Sequence, residues 1–200
     1  MNKSTLVHRK YYFRLLIASA LISLLAALLA CSLKWITELF EENIFHTAAH
    51  KATWLFILLP TVGITAIYFL RKYAFRKRKN KGITEIYKTL DQRKDHLPLF
   101  KIPSHYFNGF LTVIFGGSTG IEVATVVATA TIGNEVYKQE FSAKMYKREL
   151  ICAGVCAAVA ILFASPLAGW LFAIEVIARK VNKSLFISCT ASALVACYAR

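Results

Sequence analysis

Phe115-Gly116-Gly117-Ser118-Thr119-Gly120-Ile121-Glu122-Val123-Ala124 is the stretch on which the reading of this chain turns. It sets glycines, a serine and a threonine around one carboxylate in the middle of an apolar region. No other acid lies within twenty residues before Glu122 or within twelve after it. Apolar helical pattern enters from Tyr106 and leaves towards Gly133. A charge in such a place is expensive, and inside a membrane it marks a functional group by default. The glycines let the backbone bend, and Glu122 then opens a new helix beside unsatisfied backbone N–H groups. That arrangement is an anion site in which a carboxylate competes with the anion. From these residues alone the plainer reading, a structural carboxylate bonded to nearby backbone, stays open.

Outward from this stretch the chain is apolar. Of its 200 residues 56% are hydrophobic, and the mean hydropathy of +0.48 excludes an ordinary soluble domain. From Phe13 to Ile36 only Arg14 and Lys34 are charged, and Thr53 to Leu70 carries no charge. Either run is long enough for a hydrocarbon core of about 30 Å. The net charge of +14 is read as topology, because the basic blocks fall at alternate membrane exposures, the positive-inside pattern. Nucleic acid is not expected as a partner. Cys31, Cys152, Cys156, Cys189 and Cys197 all lie in apolar segments with no histidine near the Cys152/Cys156 pair, and read as packing residues. No nucleophile–base pair, metal cluster or phosphate loop is present in the sequence, so an enzyme is not expected.

In chain order, a basic cytoplasmic N-terminus (1–12; Lys3, Arg9, Lys10) leads into a retained span over Phe13–Ile36. Glu38 to Lys51, acid-biased, is expected as an outer loop, with His46 and His50 as solvated loop histidines. The second span, interrupted by Pro60 and Gly63, returns to a dense basic block of Arg71, Lys72, Arg76, Lys77, Arg78, Lys79 and Lys81. That block anchors the topology and also concentrates anions at an inner mouth. Thr84 is expected as the N-cap of a short helix, with Glu85 in its first turn. Asp91 to His105 is polar and cytoplasmic, and Tyr106 to Gly117 is a short membrane segment ending in small residues. The Gly116…Gly120 spacing is read as loop. Thr125, Thr129 and Thr131 back-bond within their helix. Asn134 to Glu149, with Lys138, Lys144, Lys147 and Arg148, returns to the inner side. Leu150–Phe163, a turn at Ala164–Pro166, Leu167–Ala178 and Leu185–Cys197 complete the membrane segments, and Pro166 sits at a helix start. Tyr11, Tyr12, Trp35, Trp54, Tyr68 and Tyr73 fall at span ends as interface anchors.

Three motifs carry a resemblance. Ser165-Pro166-Leu167-Ala168-Gly169-Trp170-Leu171-Phe172-Ala173-Ile174-Glu175 resembles the PLAG-x-LF-x-IE signature of the CLC family of voltage-gated chloride channels and anion/proton exchangers. Gly116–Glu122 resembles its GxxxGREGP motif, and Gly82-Ile83-Thr84-Glu85-Ile86 resembles its GSGIPEI motif. They occur in family order and at family-like spacing. The resemblance covers the chain but only the first of the family's two inverted repeats. It implies an all-α integral membrane fold with discontinuous, re-entrant helices over residues 13–200, the second repeat being absent from this chain.

By position, the resemblance makes Glu122 the gating glutamate, which fills an anion site and swings away when protonated. Gly120, Ile121, Val123 and Ala124, with Lys81, Gly82 and Ile83, are implied as anion-binding. Lys81 stands in the place of a serine and either strengthens anion attraction or snorkels to the cytoplasm. Glu175, Pro166 and Gly169 are implied as structural, Glu175 closing contacts at a helix end near Arg179. Val176 stands where exchangers carry a proton-relaying glutamate, which points to a channel or a weakly proton-coupled transporter. Ile121, Val123, Ala124, Thr84 and Asn80 depart from the family motifs. The implied protein is a multi-pass plasma (inner) membrane homodimer moving chloride or another small anion, surrounded by lipid and needing no cofactor. Leu150–Phe163 and Leu167–Ala178 are expected near the dimer interface. The alternative is a truncated, non-conducting membrane fragment or assembly partner.

Overall fold

No glycine or proline occurs between Lys3 and Lys51, so nothing in the covalent chain breaks a helix there. In the computed structural model, which describes residues 3–51, 54–73, 81–92, 96–117, 120–140 and 146–199, that whole stretch is one helix, α1 (Lys3–Lys51). Side chains of residues 3–10, 44–51, 55–56 and 140 fall outside the description. The expected cytoplasmic N-terminus and outer loop are therefore not separate from the span: residues 3–12 and 38–51 continue its helix. The basic residues Arg76 to Lys79, with Asn80, Ser118, Thr119, Lys144 and Arg200, lie outside the described residues, as do the side chains of Lys3, Arg9, Lys10, His46 and His50.

Tyr11–Asn43 within α1 is, among the described residues, the one helical stretch long and apolar enough by itself to cross a bilayer. At 1.5 Å per residue its 33 residues reach about 50 Å, beyond the hydrocarbon thickness, so it extends past the core or tilts. The following helices are α2 (Leu55–Tyr73), α3 (Thr84–Asp91), α4 (Lys101–Ile114), α5 (Ile121–Glu140), α6 (Lys147–Leu162), α7 (Pro166–Leu171) and α8 (Lys183–Tyr198). No strand occurs among the described residues. Pro60 lies inside α2 without ending it. Residues 101–105, expected as polar cytoplasmic chain, form the first turns of α4, and residues 134–140 extend α5 beyond Gly133.

α6 is the centre. Every residue from Leu150 to Ile161 is buried, and the helix packs on α1, α5, α7 and α8. Its circumference from Leu150 to Ile161 is covered by the same chain, while Phe163 beyond its end is exposed; a place of Leu150–Phe163 and Leu167–Ala178 near a dimer interface stays a proposal. Small residues make the crossings close. A Cβ added at Gly133 would lie 2.8 Å from Ile151 Cα, and one at Gly154 would lie 2.6 Å from the Thr129 carbonyl oxygen. Small-residue contacts of this kind substitute for the hydrophobic drive that lipid does not supply. Cys152, Cys156 and Cys189 are buried as packing residues, whereas Cys197 is exposed.

Hydroxyls hold α8 against α1. Ser19 Oγ meets Ser188 Oγ at 2.6 Å, and Ser23 Oγ donates to Ser192 Oγ at 2.7 Å. Ser184 Oγ donates to Glu149 Oε1 at 2.8 Å and Ser188 Oγ to the Glu149 carbonyl at 3.3 Å, which extends the polar seam to α6. Thr125, Thr129 and Thr131 bond back to carbonyls four residues earlier, as expected. Tyr11, Trp35, Trp54, Tyr68 and Tyr73 are exposed, consistent with interface positions, while Tyr12 is half-buried.

Candidate functional site

The break between α4 and α5 has a specific geometry. Gly116, at φ +90°, ends α4: its N–H donates to the Val113 carbonyl at 2.9 Å, and Gly117 N–H donates to the Thr112 carbonyl at 2.8 Å. This paired C-terminal motif requires a left-handed residue at that position, which glycine adopts freely. The chain then turns, and α5 begins at Ile121 with Glu122 in its first turn. Gly116 and Gly120 are turn and bend residues, as expected, and not a helix-pairing motif.

A second helix start approaches the same place. Gly82 sits at φ +60°, and a Cβ there would be 3.4 Å from Val123 Cγ1. The turn that leads into α3 thus lies against the first turn of α5. The first helical bonds of the two backbones run from Glu85 N–H to the Gly82 carbonyl and from Ala124 N–H to the Gly120 carbonyl, both 3.1 Å. The N–H groups of Ile83 and Thr84, and of Ile121, Glu122 and Val123, precede those ladders. The start of α3 therefore lies against the first turn of α5, the turn that carries Glu122. Ala124 leaves the expected donor set, because its N–H is already committed to Gly120 and its side chain is buried. Thr84 is the first helical residue and not the N-cap; that position is Ile83, which offers no side-chain bond. Lys81, the residue before this turn, is exposed in this chain.

Glu122 is exposed and lines a cavity of about 210 Å³. The opposite wall belongs to α1, which contributes Lys34, Thr37, Glu38 and Glu41; Phe163, after α6, is part of the rim. Lys34 Nζ lies 3.9 Å from Glu38 Oε1, at the outer limit of an ion pair. None of these α1 residues was expected to face Glu122. Their sequence signal is faint: a lysine at the end of a long apolar run, followed four residues later by a glutamate.

α3 is anchored from behind by a buried ion pair between Lys101 Nζ and Glu85 Oε2, with both side chains under one-tenth exposed. Tyr87, on the same helix, donates its hydroxyl to the Val176 carbonyl at 3.1 Å. Arg179 stacks over the Tyr87 ring at 4.0 Å. Arg179 is itself left-handed (φ 52°), ending a π-helical segment, Phe172–Ala178, that continues α7. A wide turn of this kind is common at functional sites, and the Val176 carbonyl, in its last turn, is left open to Tyr87. Among the described residues no ion pair joins Glu175 to Arg179; Glu175 is exposed and Arg179 turns to Tyr87 instead. Pro166 and Gly169 do sit where a structural role needs them. Ser165 Oγ accepts from Ala168 N–H at 3.3 Å with Pro166 opening α7, and a Cβ at Gly169 would lie 2.7 Å from Ala160 N.

Comparison with known proteins follows the same line. The family model for the voltage gated chloride channel matches residues 62–199, more than half of the chain. A chloride/fluoride channel protein of Pseudomonas syringae pv. tomato is 27% identical over 175 residues, covering 86% of this chain and 38% of that protein. The crystal structure of a CLC-type fluoride/proton antiporter superposes with a TM-score of 0.73 at 24% identity, over 93% of this chain and 47% of that one. The chain thus spans less than half the length of these relatives, and the antiporter likeness establishes the fold: the helical arrangement of a first CLC repeat, an integral membrane architecture. The chain belongs to the voltage gated chloride channel (CLC) family.

Proposed function

We propose that this chain forms the anion-handling part of a pathway for small halides across the membrane, gated by Glu122. The observation that carries the reading is the convergence of the α3 and α5 helix starts, marked by Gly82 against Val123, beside a carboxylate on the first turn of α5. Unpaired N–H groups at two helix ends attract an anion. The Glu122 carboxylate competes for the same N–H groups. Protonation, or an incoming halide, displaces it and opens the way.

Chloride and fluoride are the halides to expect, in keeping with the names of the relatives. Val176 offers no carboxylate for an inner proton step, which favours channel-like or weakly coupled transport. The proposed setting is the plasma (inner) membrane with the N-terminus cytoplasmic, a reading supported by the distribution of the basic blocks. A homodimer in lipid is the proposed assembly.

The test is efflux of chloride and fluoride from proteoliposomes loaded with each, with proton uptake recorded together. Halide efflux with little proton movement, accelerated by Glu122→Ala, is the expected result. An inserted, folded chain that passes neither halide, or that is indifferent to Glu122→Ala, contradicts the reading.

A further inference from the structure

The cavity in front of Glu122 holds four charged side chains, and their balance is one-sided. α1 presents Lys34, Glu38 and Glu41, and α5 presents Glu122; the walls from α4 and α6, Val113 and Leu162, carry no charge. The Glu122 carboxylate, which lines this space, shares it with two like charges from α1. Among the described residues, Lys34 is the one cation lining it. The Thr37 hydroxyl offers no help, since it is buried and donates to the Leu33 carbonyl at 2.6 Å. Lys34 is half-buried, on a long flexible stem, and its pairing with Glu38 at 3.9 Å is loose. Among the described residues no ion pair joins Lys34 to Glu122.

We infer that Lys34 is the outer latch for Glu122: when the carboxylate swings out, the Lys34 ammonium leaves Glu38 and receives it. Lys34 is on this account a positioning residue for the gate, and the inference rests on the reading of Glu122 given above. Glu38 is the competitor, which holds Lys34 in reserve while Glu122 is seated at the helix ends. Glu41 adds a like charge to the same space and biases Glu122 inward.

Two substitutions then act in opposite directions. Lys34→Gln removes the latch and lowers halide efflux at neutral pH by about two- to five-fold, the range for a partly exposed pair. Glu38→Gln frees Lys34 and raises efflux by a similar factor. Lys34→Arg retains wild-type behaviour. All are measured in proteoliposomes as efflux against external pH, beside Glu122→Gln and the double variants Lys34→Gln/Glu122→Gln and Glu38→Gln/Glu122→Gln. The latch requires that both α1 effects vanish once Glu122 is neutral.

Effects that persist in the Glu122→Gln background overturn the latch and indicate general attraction of anions by Lys34. Changes of the same direction from Lys34→Gln and Glu38→Gln, or no change from either, also overturn it. If Glu122→Gln itself leaves efflux and its pH profile untouched, the gate reading fails instead, independently of α1.

Discussion

Gly82 joins backbone strain to the site most directly. Its φ of +60° is open to glycine and costs an L-residue about 1–2 kcal/mol, and a Cβ there would press towards Val123. Gly82→Ala should lower the thermal unfolding midpoint of the detergent-solubilised protein and slow halide efflux together. A variant with unchanged stability and unchanged efflux would mean that the turn before α3 is not held where it appears. Glu122 was legible in the sequence because a lone acid in a long apolar region has few explanations. Ala124 was not, because motif position suggests a donor whereas the helix start at Ile121 commits that N–H to Gly120. Lys34 was illegible for a different reason: its meaning depends on the rotation of α1 against α5, which no local pattern encodes.

At the scale of elements, the serine seam between α1 and α8 makes a quantitative claim. Interhelical hydrogen bonds in membranes contribute about 0.6 kcal/mol on average by double-mutant cycle. Ser19→Ala, Ser188→Ala and the double variant should give a coupling of about that size, read from unfolding in detergent. Strict additivity would show that the 2.6 Å contact does not hold the pair. Gly133→Val tests the α5–α6 crossing. The added atoms collide with backbone of α6, and overpacking should destabilise by about 1–3 kcal/mol. Helix identity was largely readable from apolar periodicity, but helix ends were not. Charge suggested that α1 should stop near Ile36, whereas backbone continuity is governed by the absence of glycine and proline. The π-helical turn at Phe172–Ala178 has no local signature, since these residues hold no glycine or proline to break an ordinary helix.

For the molecule as a whole, membrane class and CLC architecture came from three spaced motifs and the distribution of charge, and both hold. What composition could not supply was which helix is central: α8 is as apolar as α6, yet among the described residues α6 is the helix enclosed on all sides. The buried Lys101–Glu85 pair ties α4 to α3, and through α3 to the proposed anion site. Lys101→Met strands a buried carboxylate and should destabilise by about 3–5 kcal/mol, while Glu85→Gln/Lys101→Met together recover most of the loss. Recovery that fails would show that the pair does more than fix the fold.

The most direct test of the central claim is halide efflux from proteoliposomes as external pH is lowered, comparing the native chain with Glu122→Gln. A gate that opens on protonation gives efflux that rises with acidification in the native chain, and efflux that is already high and flat with pH in Glu122→Gln. Parallel pH profiles for the two proteins would contradict it, and would leave Glu122 a structural carboxylate at the head of α5.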